Sequence, residues 1–292
     1  MSRPPPLVNA VYYPSWRIYK DITPSSLPLD KISTVFYAFA IFSTNTPTPK
    51  SPSAPPAAAS PPSPPPSATT RTSAPCCPSA ADVAALSVLD VAGLAALVDH
   101  VNLMGYDLAG PWSAVAGHHA QLFAASSTVT GAADNRTVSC QTGLRYLLGR
   151  GLPPERILLG IPAYARVFYG ARGPGDTFTN GESSGGCGGG GADEEANAPT
   201  EIDYRDVPAD WKRRVHVDRT RVAAWLVVDD DDDDDNVGGH KFVSLDVPET
   251  VRAKAAFARS TGLGGLFFWT GAGDAVGDDS LVVAGFDGLH GQ

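Results

Sequence analysis

The sequence predicts an α/β protein organised around a parallel sheet, and two observations lead to this fold class. Apolar runs of strand length, rich in β-branched and aromatic residues, recur along the chain. In the middle of the chain and again near its end, these runs alternate with segments that have helical periodicity and helix-capping residues. Strands that alternate with helices are typical of βα units, because consecutive parallel strands need a crossover connection, usually a helix.

The composition argues against two classes of partner. The net charge is −9 and the pI is about 5.0, so we expect no nucleic-acid partner. The sequence contains no run of about 18 apolar residues, so it predicts no membrane span. The N-terminus, MSRPPPLVNAVYY, lacks the apolar core of a signal peptide, so we expect a cytoplasmic protein unless another route exports it. The four cysteines have no C-x-x-C spacing, and we expect neither a metal site nor a cofactor.

The N-terminal region predicts two strands, VNAVYYPSW (8–16) and STVFYAFAIF (33–42). The composition then changes abruptly, and residues 43–81 consist largely of Pro, Ser, Ala and Thr. Such a segment has little apolar surface to bury, so the sequence predicts a disordered or extended chain there.

The middle of the chain predicts helix, strand, helix and strand in turn. Asp90 is placed to cap a short helix that ends near Val98, and the apolar stretch VNLMGYDLAGPW (101–112) follows it. Three leucines at helical spacing then predict a helix that Gly151 ends. Residues 156–161 predict the next buried strand.

Residues 167–245 break this alternation with a glycine-rich run and seven consecutive aspartates, and they predict an inserted, mostly β or irregular subdomain. Asp246-Val-Pro-Glu249 then predicts a capping box at the start of a helix that Gly262 ends. The final strand is predicted within GGLFFWTGAGD (264–274), with Trp269 near its C-terminal end.

Aromatic and polar residues gather at the ends of the predicted strands, which form the active face of parallel α/β folds. Aromatic faces with a few carboxylates, phenols and an arginine suit a carbohydrate. The alternative is that the aromatic residues only fill the core, as buried aromatics often do.

Several segments, in order, resemble glycoside hydrolase family 18 chitinases of the fungal type. They are NAVYYPSWRIY, VFYAFA, VDHVNLMGYDLAGPW, GLPPERILLGIPAYARVF, EIDYRDVPADW and STGLGGLFFWTGAGD. The resemblance implies an incomplete TIM (β/α)8-type barrel with an α+β insertion before the last strand. Residues 1–42 would then hold barrel strands one and two, 82–166 strands six and seven, 167–245 the insertion, and 246–292 the last helix and strand eight.

The resemblance also implies a sugar-binding pocket for chitin or chitooligosaccharides, in a monomeric protein. Trp269 would be the floor beneath an N-acetylglucosamine ring. Tyr106 would bond the acetamido group, Asp107 a sugar hydroxyl, and Trp112 would stack on the neighbouring sugar. The other positions that the resemblance assigns to the pocket are Tyr12, Phe39, Met104, Tyr164 and Arg166, with Tyr204 and Trp225 from the insertion.

The catalytic acid that the resemblance implies is missing from the sequence. Family enzymes are similar in using the substrate's own acetamido oxygen as nucleophile and a glutamic acid in a D-x-x-D-x-D-x-E motif as proton donor. None of the six glutamates has aspartates at both i−2 and i−4. Residues 42–98 are too few for three βα units, so barrel strands three to five are expected to be absent. We therefore expect no hydrolysis of β-1,4-linked N-acetylglucosamine polymers.

Two explanations of the missing motif stay open. A retained intron, a frameshift or a misjoined exon would explain the abrupt change of composition. Alternatively, the chain is a chitinase-like lectin that lost catalysis and kept sugar binding. A third hypothesis for the function is that the chain is a fragment that has none.

Two polar features lie outside the pocket. The run Asp229 to Asp235 lacks the spacing, glycine and final glutamate of an EF-hand, so it predicts a solvated acidic loop rather than a calcium site. His118 and His119 have no carboxylate or cysteine partner at ligand spacing and predict a surface pair.

Overall fold

The computed structural model describes residues 7–38, 83–87, 89–124, 138–179, 200–229 and 239–291. Phe39, the segment at 43–81, the glycine-rich run and the aspartates that follow Asp229 lie outside the described residues. Within those ranges the chain forms two five-stranded sheets, one parallel and one antiparallel.

The parallel sheet contains five strands in the order β2-β1-β10-β4-β3. Their bounds are β1 Val8–Pro14, β2 Thr34–Ala38, β3 Val101–Leu103, β4 Ile157–Pro162 and β10 Gly265–Trp269. The first strand pairs with the last, with Val8 beside Gly265. In a (β/α)8 barrel the first and last strands are neighbours, as they are in this parallel sheet, so the predicted α/β class and incomplete barrel are confirmed.

The antiparallel sheet has the order β6-β5-β9-β8-β7. Its strands are β5 Tyr164–Tyr169, β6 Glu201–Asp203, β7 His216–Asp218, β8 Ala223–Asp229 and β9 His240–Leu245. In the chain it lies between β4 and β10. It begins at Tyr164, because the parallel strand β4 already ends at Pro162.

The described residues form six α-helices beside the sheets: α1 Val83–Leu86, α2 Val91–Leu97, α3 Cys140–Gly149, α4 Ala209–Arg213, α5 Pro248–Thr261 and α6 Leu281–His290. Asp90 caps α2 as predicted, since its carboxylate accepts the Gly93 amide at 3.0 Å. Gly262 ends α5 in the left-handed conformation, with φ of 76°. The helical spacing of Val91, Leu94, Leu97 and Val98 predicts one apolar side of α2, but Leu97 is 85% exposed.

The predicted capping box of α5 is wrong in its residues. The N-cap is Val247, and its amide donates to the Thr250 hydroxyl at 3.0 Å. Asp246 is buried, and its carboxylate accepts bonds from Thr250 and from Lys254. Glu249 pairs instead with Arg219 on the surface. The prediction failed because the Asp246 side chain points into the core, where Lys254 of α5 donates to it.

The parallel sheet has two different apolar faces. One packs against α3, α5 and α6 and is aliphatic, with Leu159, Ile161 and Leu266 among its members. The other is aromatic and carries Tyr12, Phe36, Phe267 and Trp269. The aromatic face corresponds to the interior of a barrel. In the part of the chain described above, no helix is both apolar and long enough to cross a bilayer.

Strands β2 and β3 border the parallel sheet, and within the described ranges neither has a strand on its outer side. Val35 and Tyr37 lie on β2 and are 43% and 61% exposed. An open edge with apolar side chains favours pairing with other chains. We therefore expect a low soluble yield with aggregates on size-exclusion chromatography, and a higher monomer fraction for Val35→Lys. Val276→Lys, at a position 72% exposed but outside any strand, is the control. A monodisperse wild-type monomer with one cooperative melting transition would contradict this expectation.

Candidate functional site

Aromatic rings cover the C-terminal half of the barrel-interior face. The Tyr12 ring lies 5.3 Å from Trp269 and 5.7 Å from Phe267, centroid to centroid. Tyr106 contacts Phe267 at 6.2 Å and Tyr164 at 6.1 Å, both edge-on. These distances and angles are those that favour aromatic pairs. The rings form one continuous surface, which we call the aromatic floor.

The aromatic floor depends on Gly160 of β4. A Cβ at this position would lie 2.7 Å from the Phe267 ring and 2.8 Å from the Tyr106 ring. Glycine therefore leaves the space in which the two rings meet. Any larger residue would push at least one of them out of the floor.

Asp107 comes directly after Tyr106 of the aromatic floor in the chain, and its side chain accepts three hydrogen bonds. Its backbone is left-handed, with φ of 58°, a region that aspartate enters more readily than most residues. Its Oδ1 accepts from the Tyr164 hydroxyl at 2.8 Å, and from Nε and Nη2 of Arg166 at 2.9 and 2.7 Å. Tyr164 and Arg166 lie on β5, so these hydrogen bonds join the loop that follows β3 of the parallel sheet to the antiparallel sheet.

Arg166 connects this network to two further side chains. Its Nη1 lies 3.0 Å from Oε2 of Glu201 on β6. Its guanidinium also lies 5.2 Å from the centre of the Trp112 ring, within cation–π range. Arg166 is thus held between two carboxylates and beside an indole that is 41% exposed.

Protonation in the site follows from burial and these charges. Burial, and then the charge of Asp107, raises the pKa of Tyr106 and of Tyr164, so both phenols keep their protons. Burial is the largest influence on Arg166 and opposes its charged form, but Asp107, Tyr164 and Glu201 together outweigh burial, and the pKa of Arg166 is raised. Burial raises the pKa of Glu201 against the opposing charge of Arg166. The site therefore presents protonated phenols, a fixed cation and a carboxyl that takes up protons more readily than usual.

Sequence reasoning missed two polar residues of the site. Glu201 belongs to the quoted segment EIDYRDVPADW, but only the pairing of β5 with β6 brings it opposite Arg166. Asn102 donates to the Tyr12 hydroxyl at 3.0 Å. The period-2 alternation of β3 could have revealed Asn102, since Asn102 and Met104 fall on one side of the strand. Met104 is 45% exposed at that edge.

The structure does not bring every predicted residue to the aromatic floor. Tyr204 is 1% exposed, and its hydroxyl donates to Asp279 at 2.8 Å, so its polar end is used elsewhere. Trp225 stacks on His216 of the neighbouring strand at 4.9 Å. Phe39 lies outside the described residues.

His118 and His119 are not the predicted surface pair, because they are 4% and 0% exposed. The His119 amide donates to the Ser244 hydroxyl at 3.1 Å, and its ring lies 5.2 Å from Tyr164. The His118 ring lies 6.0 Å from Phe242. The loop that carries them covers the antiparallel sheet, which the local sequence does not show. Within the described ranges no three metal-ligating side chains come together.

Comparison with known proteins agrees with this architecture. A family model described as "Glycosyl hydrolases family 18" matches residues 68–274. Chitinase A1 of Niallia circulans is 30% identical over 185 residues, which are 62% of this chain and 24% of that protein. Chitinase 1 of Aphanocladium album is 29% identical over 196 residues, covering 67% of this chain and 41% of that protein. The chain thus spans less than half the length of either relative.

Solved structures share the fold. Catalytic domain 2 of the Group II chitinase of Ostrinia furnacalis superimposes with a TM-score of 0.56 at 22% identity, over 73% of this chain and 54% of that one. The catalytic domain of psychrophilic chitinase B from Arthrobacter gives a TM-score of 0.53 at 26% identity, over 73% and 43%. The match of the family model over most of the chain, with the first and last strands paired as in a barrel, shows that the chain belongs to glycosyl hydrolase family 18.

Proposed function

We propose that this chain binds chitooligosaccharides on the aromatic floor and hydrolyses them at a rate close to background. The observation that carries the proposal is the aromatic floor itself, which joins Trp269 to protonated phenols and to the Asp107–Arg166 pair. A mutant of the Ostrinia furnacalis domain has been solved with a (NAG)5 oligosaccharide, which supports this substrate class.

The floor offers a neutral, N-acetylated sugar both apolar and polar contacts. The Trp269 face gives an apolar surface on which a pyranose ring can lie, and Trp112 gives a second indole beyond Arg166. Tyr106 is 5% exposed, and its hydroxyl keeps its proton as a donor for an amide oxygen. Arg166 is held by Asp107 and Glu201, so this cation does not need an anionic ligand.

Both carboxyls of the site are bound by other side chains, which argues against either one acting as the proton donor. Asp107 accepts three hydrogen bonds through one oxygen, so its role is to orient Tyr164 and Arg166. Glu201 is engaged in an ion pair with Arg166, whose charge opposes the rise that burial gives to the pKa of Glu201. General acid catalysis typically contributes about 10²- to 10⁴-fold, so its loss leaves the leaving sugar oxygen unprotonated and the rate low.

We expect chitotriose to bind in isothermal titration calorimetry while a fluorogenic chitotrioside shows no turnover above buffer. Trp269→Ala should weaken binding by at least tenfold, because it removes the ring on which the sugar lies. Trp225→Ala is the matched control and should bind chitotriose like the wild type, since the Trp225 ring lies against His216 of the antiparallel sheet and is not part of the aromatic floor. Equal losses in both variants, or no binding by the wild type, would contradict the proposal.

Hydrolysis is the second candidate function, and the raised pKa of Glu201 is the observation that favours it. Turnover well above buffer that disappears in Trp269→Ala would establish it. In that case Glu201→Gln should abolish turnover and leave chitotriose binding within about threefold, because the amide keeps the shape of the side chain but cannot donate an acidic proton.

A further inference from the structure

The chain after Asp107 folds back on itself and carries one of the two indoles of the candidate site. The Leu108 amide donates to the His119 carbonyl at 2.9 Å, which closes residues 108–119 into a loop that we call the Trp112 loop. Trp112 lies within this loop, and Asp107 directly precedes it. The hydrogen bond at the base of the loop therefore holds the backbone beside Asp107 and limits how far Trp112 can move.

The Trp112 loop is attached to the antiparallel sheet at two of its residues. The His119 amide donates to the hydroxyl of Ser244 on β9 at 3.1 Å. Ala116 exchanges two backbone hydrogen bonds with the turn that follows β5, one with Gly175 at 2.8 Å and one with Asp176 at 2.9 Å. Of these two loop residues, only His119 has a side chain that gains a charge when the pH falls.

The His119 ring is buried among groups that oppose a positive charge on it. It is 0% exposed, and its centroid lies 5.2 Å from that of Tyr164. The Arg166 guanidinium lies 5.1 Å from the same Tyr164 ring, and Lys254 donates to the carbonyl of Ala120, the next residue in the chain. Among the described residues, neither ring nitrogen of His119 has a hydrogen-bond partner. A protonated ring would therefore bury two unsatisfied N–H donors close to two cations.

The balance of charge around His119 disfavours its protonation. Burial, and then the charges of Arg166, Lys254 and His118, lower the pKa of His119 well below its usual value. The two cations are themselves paired with carboxylates, namely Asp107 and Glu201 for Arg166 and Asp246 for Lys254. The closed loop thus keeps the His119 ring neutral.

His118 is the second buried ring of the Trp112 loop, and it responds to acid in the same direction. It is 4% exposed, its ring lies 6.0 Å from Phe242, and its Nδ1 has no hydrogen-bond partner within the described ranges. Burial, followed by the charge of Arg221, lowers the pKa of His118 to about 4. Lys254 acts in the same direction, and Asp218 opposes it. His118 therefore also takes up a proton more readily when the loop is open.

We propose that His118 and His119 form an acid-sensitive switch, whose protonation opens the Trp112 loop and weakens sugar binding. This inference rests on the sugar binding proposed above. In the open loop both rings reach water and regain an ordinary pKa of about 6.5. Opening then takes up as many as two protons, so the open fraction rises by up to about a hundredfold for each pH unit below this value.

Opening of the loop would displace the indole that borders the Arg166 end of the site. In the closed loop the Trp112 ring lies 5.2 Å from the Arg166 guanidinium. Loss of the hydrogen bond at the base of the loop also frees the backbone beside Asp107, whose carboxylate accepts from Arg166. Trp269 lies on β10 and is not part of the loop, so the aromatic floor remains. We therefore expect weaker sugar binding and not its complete loss.

Opening is measured by amide hydrogen exchange of the full chain without sugar at pH 7.5 and 5.5, corrected for the intrinsic pH dependence of exchange. We expect the protection of the Leu108 amide to fall by at least tenfold at pH 5.5, while peptides of β4 and β10 stay protected. His118→Gln/His119→Gln should lose this pH dependence. His119→Gln alone should show a fall of at most about tenfold per pH unit, which keeps the test decisive if the double variant does not fold.

Two further variants control the exchange measurement. His290→Gln, at an exposed position, is the matched control and should behave like the wild type. Glu201→Gln removes the carboxyl of the site whose pKa is raised, and it should still show the loss of protection. The proposal is wrong if Leu108 is equally protected at both pH values, if β4 loses as much protection, or if the double variant keeps the pH dependence.

Chitotriose binding is then measured by calorimetry at the same two pH values. The wild type should bind at least tenfold more weakly at pH 5.5. Trp112→Ala should bind weakly at both pH values, because the ring that opening displaces is already absent. Equal wild-type affinity at both pH values would overturn the link to sugar binding. Absence of binding at pH 7.5 would overturn the proposed function, whereas the exchange measurements decide the opening of the loop by themselves.

Discussion

Lys254→Met is expected to lower the free energy of unfolding by about 3–5 kcal/mol, the usual cost of leaving one partner of a buried ion pair uncompensated. Lys254 is 0% exposed, and its Nζ lies 2.5 Å from Oδ2 of Asp246, which is 1% exposed. The same Nζ donates to the carbonyl of Ala120 at 2.6 Å. The substitution therefore leaves both a buried carboxylate and a buried carbonyl without this donor. Urea unfolding followed by circular dichroism measures the loss.

Two variants separate charge burial from loss of helix packing. Arg252→Met changes an exposed cation on the same helix and should alter stability by no more than about 0.5 kcal/mol. Asp246→Leu/Lys254→Met removes both charges, and it should recover much of the loss because an apolar pair of similar size often replaces a buried ion pair well. A double variant no more stable than Lys254→Met would show that the pair is not the cause.

Stability is expected to fall as the pH drops from about 6.5 towards 4, and the buried His118 and His119 are the groups responsible. Burial, followed by the charge of Arg221, lowers the pKa of His118 to about 4. Burial also lowers the pKa of His119 well below its usual value. The unfolded chain therefore takes up protons near pH 6.5 while the folded chain does not, which favours unfolding as the pH falls. A shift of this size corresponds to up to about 3 kcal/mol for His118, complete near pH 4.

The pH dependence of stability is measured as the difference between the urea unfolding midpoints at pH 7.5 and at pH 5. His118→Gln should show a smaller difference between the two pH values than the wild type, because it removes the group that protonates only on unfolding. His290→Gln, at an exposed position, should match the wild type. The explanation fails if the wild type and His118→Gln lose the same stability over this interval.

Local patterns predicted where α2 begins and where α5 ends, because those signals are contained in short windows. They did not predict α6, and they did not show that β3 stops at Leu103. Asp90 caps α2 through its own side chain, and Gly262 ends α5 through its own backbone. The burial of His118 and His119 was not predicted, because it depends on contacts with residues far away in the sequence. The backbone amide of His119 donates to the hydroxyl of Ser244, which is 125 residues away in the chain. No residue near His119 in the sequence indicates this contact.

Only some residues of the candidate site were predicted, because the others are brought there by strand pairing between distant parts of the chain. Tyr106, Asp107 and Trp269 stand at strand ends that the hydrophobic pattern locates. The partner of Arg166 on β6, Glu201, depends on strand pairing in the antiparallel sheet, which single-sequence periodicity does not supply. Trp225 was assigned to the pocket by resemblance, whereas the register of β7 and β8 sets it on His216.

The pairing of Val8 with Gly265 has a consequence for the time course of synthesis. The partners are 257 residues apart, from 265 minus 8. At about 5–20 residues per second, β1 has to wait roughly 10–50 seconds after its own synthesis before β10 leaves the ribosome. During that interval the apolar strand VNAVYYP is without its central neighbour. The chain's encounter with chaperones is thus set by translation speed, and slower translation prolongs the exposure of its N-terminal strand.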